Sequence, residues 1–142
     1  RGLAAALALG AEGINMGTRF CATVEAPIHQ NVKQAYLDND ERGSVLIFRS
    51  LKNTARVGRS AVSEEVARRL AIPGATFADV KDLVAGAAGR EMLENGDLSK
   101  GVFWAGMVQG LIHDIPTCQV LIDRIVADAE AIIRQRLAGL IA

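Results

Sequence analysis

The stretch Gly13–Ala22, GINMGTRFCA, constrains this chain more than any other. Its apolar run is too short for a helix and is bounded by glycines, as a buried strand would be. An Ala/Leu-rich pattern over Gly2–Leu9 precedes it and predicts a helix that stops at Gly10. Helix, short loop and strand make half of a repeating α/β unit. The strand must end at Gly17-Thr18. Gly17 lets backbone approach a ligand, Thr18 offers a hydroxyl and an N–H, and Arg19 adds a positive charge. A turn of this kind gathers N–H groups in a form that suits a phosphate. Taken alone, a Gly-Thr after a strand reads first as a plain turn.

Charge limits the possible ligands. Lys+Arg and Asp+Glu both count 16 in 142 residues, so the formal net charge is zero. Nucleic-acid binders usually carry a basic excess, so the balance argues against one. A small anionic cofactor needs only local charge. Cys21 and Cys118 are far apart and lack partners at zinc spacing, which reads as two reduced thiols in a cytoplasmic protein. No apolar run approaches the roughly 20 residues that span a bilayer, so no membrane role is expected. The chain lacks a starting Met and opens inside a helix pattern, which reads as a truncation.

Downstream, Thr23–Pro27 punctuates a helix that continues over Asn31–Leu37, with Val32, Ala35 and Tyr36 inward and Lys33 and Gln34 toward water. Ser44–Ser50, SVLIFRS, is the strongest strand candidate. Lys52–Arg59 reads as a solvated connector, with an anion site as the sharper alternative. Ser60 or Ser63 caps a helix through Ile72, which Pro73-Gly74 ends. Helices are expected over Thr76–Ala85 and Gly89–Glu94, with a tight turn between them. Asn95-Gly96-Asp97 reads as a turn. Trp104 lies in the glycine-bounded segment Gly101–Gly106; it either fills a core gap or covers a flat cofactor ring, and the residues alone favour the core. A short helix is expected over Met107–His113, and a long one from Cys118 to Leu140. His29 and His113 fit surface or capping roles. The chain contains no nucleophile motif, Walker loop or metal-ligand spacing.

Several segments together carry a family resemblance. These are Arg1–Ala6 (RGLAAA), Met16–Phe20 (MGTRF), Glu25-Ala26-Pro27, Lys52–Val57 (KNTARV), Gly96-Asp97-Leu98, Trp104-Ala105-Gly106 and Gly110–Pro116 (GLIHDIP). In this combination the chain resembles the C-terminal portion of the nitronate monooxygenases, formerly called 2-nitropropane dioxygenases. The resemblance implies an α/β fold: the C-terminal part of a TIM (β/α)8 barrel followed by a mostly helical extension. Residues 1–43 would supply the last barrel helix, strand and phosphate turn of an FMN-binding barrel. Residues 44–142 would be a strand plus the helical extension.

The resemblance also implies the chemistry. FMN phosphate would sit on Gly17 and Thr18, in keeping with the phosphate sites of TIM barrels. The family's catalytic His and its second phosphate turn lie on earlier strands, so no catalytic residue and no metal ligand are expected in this chain. In relatives a Gln often follows the Trp-Ala-Gly segment; here Met107 stands there and Gln109 lies two residues on. The substrate would be a small nitronate or nitroalkane, oxidised with O2 to a carbonyl compound and nitrite. Two rivals remain open at this point: an FMN-dependent enoyl-[acyl carrier protein] reductase of the same fold, and a helical interaction module without flavin.

Overall fold

The computed structural model describes residues 1–141. In chain order the elements are α1 (Gly2–Ala8), α2 (Thr18–Cys21), α3 (Gln30–Asp38), β1 (Ser44–Ile47), β2 (Ala55–Gly58), α4 (Ala61–Leu70), α5 (Lys81–Val84), α6 (Gly86–Asn95) and α7 (Cys118–Ala131). Short 3-10 turns cover Phe77–Asp79 and Met107–Leu111. Beyond α7 the helix continues as π turns over Ile132–Leu137 and ends in a 3-10 turn at Ala138–Leu140.

The expected strand before Gly17 does not form in this chain: residues 11–16 carry no strand. A buried parallel strand needs hydrogen-bonding neighbours on both sides. Among the described residues the only sheet is the two-stranded β1–β2 ladder, far along the sequence. The apolar run is left partly in the open, with Ile14 39% exposed.

The Lys52–Arg59 segment also departs from its reading as a connector. Ala55–Gly58 pairs antiparallel with β1, setting Val45 opposite Val57 and Ile47 opposite Ala55. The turn between them places Phe48 and Lys52 in the left-handed region, at φ 61° and 56°. Two of the three charges that suggested an anion site are engaged locally. Arg56 donates to Ser44 Oγ at 2.8 Å, and Arg59 pairs with Glu64.

Helix starts follow local chemistry more closely. Ser60 and Ser63 form a reciprocal capping box at the start of α4, the kind of cap worth about 1 kcal/mol. Within α4, Arg68 and Arg69 hydrogen-bond Glu65 and hold its carboxyl down at about 2. His29 caps α3, its Nδ1 accepting from the Asn31 N–H at 3.1 Å. The helix therefore begins three residues after Pro27 rather than at it. Gly96 closes α6 in the left-handed conformation at φ 77°. An added Cβ there would fall on the His29 ring, so the turn and the α3 cap are packed together. Helix α6 starts at Gly86, inside the segment expected to be a tight turn.

Two apolar clusters organise the chain. The first joins Ala22, Val32 and Tyr36 to Met92, Phe103, Ala105 and Ile112. The second packs Ile47 and Val57 of the hairpin on Val66, Leu70 and Val80. Phe103 links the two regions: it stacks edge-on against Tyr36 with centroids 5.5 Å apart, and its carbonyl accepts the Gly58 N–H. No helix among the described residues is long and apolar enough to cross a membrane.

Candidate functional site

Gly17 and Thr18 open the short helix α2. The Gly17 carbonyl accepts the N–H groups of Phe20 and Cys21, which tightens the turn. The N–H groups of Thr18 and Arg19 have no acceptor among the described residues. Open space surrounds Gly17, and an added Cβ there would meet nothing within 4 Å. These two free donors beside an uncovered glycine are what an anionic group needs in order to reach the backbone.

The Thr18 side chain is fixed from an unexpected direction. Its Oγ1 accepts the Gly106 N–H at 2.9 Å, across 88 positions of sequence. With its lone pair engaged in this way, the hydroxyl hydrogen is left to donate to an anion. The loop that carries Gly106 is held from the other side by Tyr36, whose hydroxyl donates to the Trp104 carbonyl at 2.9 Å. Burial pushes the Tyr36 phenol well above its ordinary value, so it stays a neutral donor. Trp104 itself is 62% exposed and fills no core gap. Its backbone bridges to Val57 at the edge of the hairpin.

Arg19 does not point its charge at the turn. Its guanidinium donates to the Asp114 carboxylate at 2.8 Å and to the Asp114 carbonyl at 3.0 Å. The same carboxylate also takes Arg124 of α7. Other clips run in parallel. The Val24 N–H donates to the Pro116 carbonyl, and both Glu25 carboxylate oxygens accept the Cys118 N–H at the start of α7. That backbone donor holds the Glu25 carboxyl below its ordinary value. Lys33, expected in solvent, is buried, with its ammonium on the Val24 carbonyl at 3.0 Å. The segments around Arg19, Glu25 and Asp114 are thus two sides of one seam that fixes α2 against α7.

Arg124, and then Arg19, holds the Asp114 carboxyl below its ordinary value. A lowered folded-state value means that the clip adds stability above the usual carboxylate range near about pH 4, and loses it as the pH falls below that. In urea titrations, Asp114→Asn is expected to be less stable than the parent at pH 7. The two should converge as the pH falls through the lowered folded-state value of Asp114. A gap of constant size across that range would remove Asp114 from the titration.

Gln109 was not singled out as a binding residue by its sequence context. It is fully buried in the Met107–Leu111 turn, and neither its amide nitrogen nor its oxygen has a hydrogen-bond partner among the described residues. His113 is exposed and Cys21 and Cys118 are free thiols. Among the described residues, no three His, Cys, Asp or Glu side chains gather as a metal site.

The family profile described as nitronate monooxygenase matches residues 1–128. Among curated proteins, (3aS,4S,5R,7aS)-5-hydroxy-7a-methyl-1-oxo-octahydro-1H-indene-4-carboxyl-CoA dehydrogenase of Rhodococcus jostii is 34% identical, over 91% of this chain and 46% of its own length. A nitronate monooxygenase of Neurospora crassa is 29% identical, over 80% of this chain and 31% of its own length. Among solved structures, FabK from Thermotoga maritima superimposes with a TM-score of 0.86 at 31% identity, covering 99% of this chain and 43% of FabK. The chain spans about half the length, or less, of the relatives it matches.

Proposed function

As a member of the nitronate monooxygenase family, the chain comes from a group of oxidoreductases, and we propose that it forms the FMN-phosphate-holding part of such an enzyme. In this reading residues 1–43 are the end of the flavin barrel and residues 44–142 its helical extension. The observation that carries it is the Gly17-Thr18 turn, with open space over Gly17, two free N–H donors and a hydroxyl set by Gly106. These groups fit a phosphate monoester. Bound FMN would supply the redox chemistry, the oxidation of an alkyl nitronate with O2 to a carbonyl compound and nitrite. The chain's own residues bind and orient. Thr18 and the backbone N–H groups grip the phosphate, and the Tyr36–Trp104 and Thr18–Gly106 bonds hold the 104–106 loop beside it.

A second reading, an FMN-dependent reductase acting on acyl thioesters, draws on the CoA-ester dehydrogenase relative and the FabK likeness. Nitrite release separates the two. A full-length flavoprotein carrying this sequence is expected to release nitrite from propyl-2-nitronate in step with O2 uptake. No nitrite, with turnover of an acyl-CoA instead, would replace the first reading by the second. The 142 residues alone are expected to bind FMN weakly and to show no turnover.

A further inference from the structure

A cavity of about 400 Å3 lies between residues of α2, α3, α5, α6 and the segment Val102–Trp104. Cys21, one helical turn beyond Thr18, and Trp104, two residues before Gly106, both line it, so it adjoins the candidate phosphate turn. Its lining is mainly apolar and includes Ile28, Leu93, Val102 and Phe103. Gly86 and Gly89, spaced one turn apart on α6, offer bare backbone. An added Cβ at Gly86 would meet nothing within 4 Å, so this wall is recessed by the missing side chain and not filled by a neighbour. Arg90 follows at the rim, exposed and without an ion pair among the described residues.

We infer that this cavity binds the apolar body of an amphiphilic anion, whose planar head, a nitronate or a carboxyl group, meets Arg90. At about 30 Å3 per water-sized group the space takes on the order of a dozen non-hydrogen atoms. A small nitroalkane such as 2-nitropropane fills about half of it and leaves apolar wall exposed to water or to void. A medium-length alkyl chain or a compact bicyclic group fills it. The inference deepens the proposed function by naming the size and polarity of the substrate, and it rests on that reading only for placing the cavity next to a reaction site.

Trp104 is the only tryptophan in the chain and lines the cavity, so its emission reports occupancy. The test titrates this chain, without flavin, with decanoate, decan-1-ol, the anion of 1-nitrodecane and propyl-2-nitronate. Decanoate and the nitrodecane anion are expected to shift Trp104 emission saturably. Decan-1-ol should bind about fivefold more weakly, the size of an exposed ion pair. Propyl-2-nitronate should bind at least tenfold more weakly than decanoate. Arg90→Gln should erase the advantage of the anions over the alcohol. Gly86→Leu, placed in open space, should weaken all long-chain ligands at least tenfold while the circular dichroism spectrum stays that of the parent. Tighter binding of the nitrodecane anion assigns the head to a nitronate, and tighter decanoate binding to a carboxyl group. The inference is overturned if propyl-2-nitronate binds as tightly as decanoate, if the folded chain shows no saturable shift, or if Gly86→Leu or Arg90→Gln binds every ligand as the parent does. No flavin enters this experiment, so its failure leaves the Thr18 phosphate reading standing, and a failure of nitrite release leaves the cavity standing.

Discussion

Replacing Phe103 by alanine is expected to cost about 3–5 kcal/mol of folding stability, the range for deleting a buried aromatic ring. A domain of this size has about 5–15 kcal/mol in total, so the variant should be largely unfolded at moderate urea. The size of the effect follows from where the ring sits. Phe103 is 2% exposed and meets Tyr36 at an interplanar angle of 83°. On its other side the ring lies over Gly58, where an added Cβ would fall on it. The cavity left by alanine is therefore walled by a glycine that cannot reach in and by a Tyr36 tethered to the Trp104 carbonyl, so little collapse can offset the loss. Urea unfolding should show a lower midpoint at unchanged slope. A loss under about 1 kcal/mol would mean that the ring is not the joint between the two apolar clusters. Gly58→Ala should also destabilise, by overpacking. Because both substitutions act on one contact, their combination with Phe103→Ala should fall well short of the sum.

The difference between what the sequence disclosed and what it hid follows the range of the interactions. Short-range chemistry was legible. Ser60 and Ser63 were recognisable as a helix cap because the capping box spans three residues. His29 was assigned a capping or surface role and does cap α3. Gly96 marked the end of α6. Tertiary partners were not legible. Ala55–Gly58 has too little apolar content to announce a strand, and becomes one because β1 offers a ladder and Phe103 a surface. Lys33 looked solvent-facing by helical periodicity, yet the Val24 carbonyl draws its ammonium inward. Trp104 looked like core because it is large, but its backbone is committed to Val57 and Tyr36, and the residue stays largely exposed. Arg19 looked like part of an anion site until Asp114, 95 positions away, claimed it. Several of the motifs that carried the family resemblance lie at or beside the ends of these long-range bonds. Thr18 meets Gly106, Arg19 meets Asp114, and Val24 and Glu25 meet Pro116 and Cys118. A family pattern that looks like scattered short words is, in space, a set of paired contacts around one turn.

That pairing determines what Thr18→Val should do. Valine keeps the shape of threonine but removes the oxygen, so two bonds go at once. The Gly106 N–H loses its acceptor in a half-buried position, which costs about 1–3 kcal/mol. In the proposed flavin site, the hydroxyl donor to the phosphate is lost as well. A hydrogen bond to a charged group is worth about 1.5–3 kcal/mol, or roughly a ten- to hundredfold loss in FMN affinity. Nitrite release at limiting FMN should fall by the same factor and recover when FMN is raised, because in the proposed site Thr18 would grip the cofactor and take no part in the proton or electron transfers. Thr18→Ser keeps the oxygen and its hydrogen and should restore both affinity and rate to near the parent. The serine variant separates binding from folding. If the Gly106 bond were the only role of Thr18, the valine variant would unfold more readily yet, once folded, hold flavin as tightly as the parent. FMN release followed by the recovery of flavin fluorescence in the full-length protein reads this directly. A valine variant with unchanged affinity would take Thr18 out of the phosphate site and leave it as a clip for the 104–106 loop, with the Thr18 and Arg19 N–H groups as the only remaining phosphate donors of the turn.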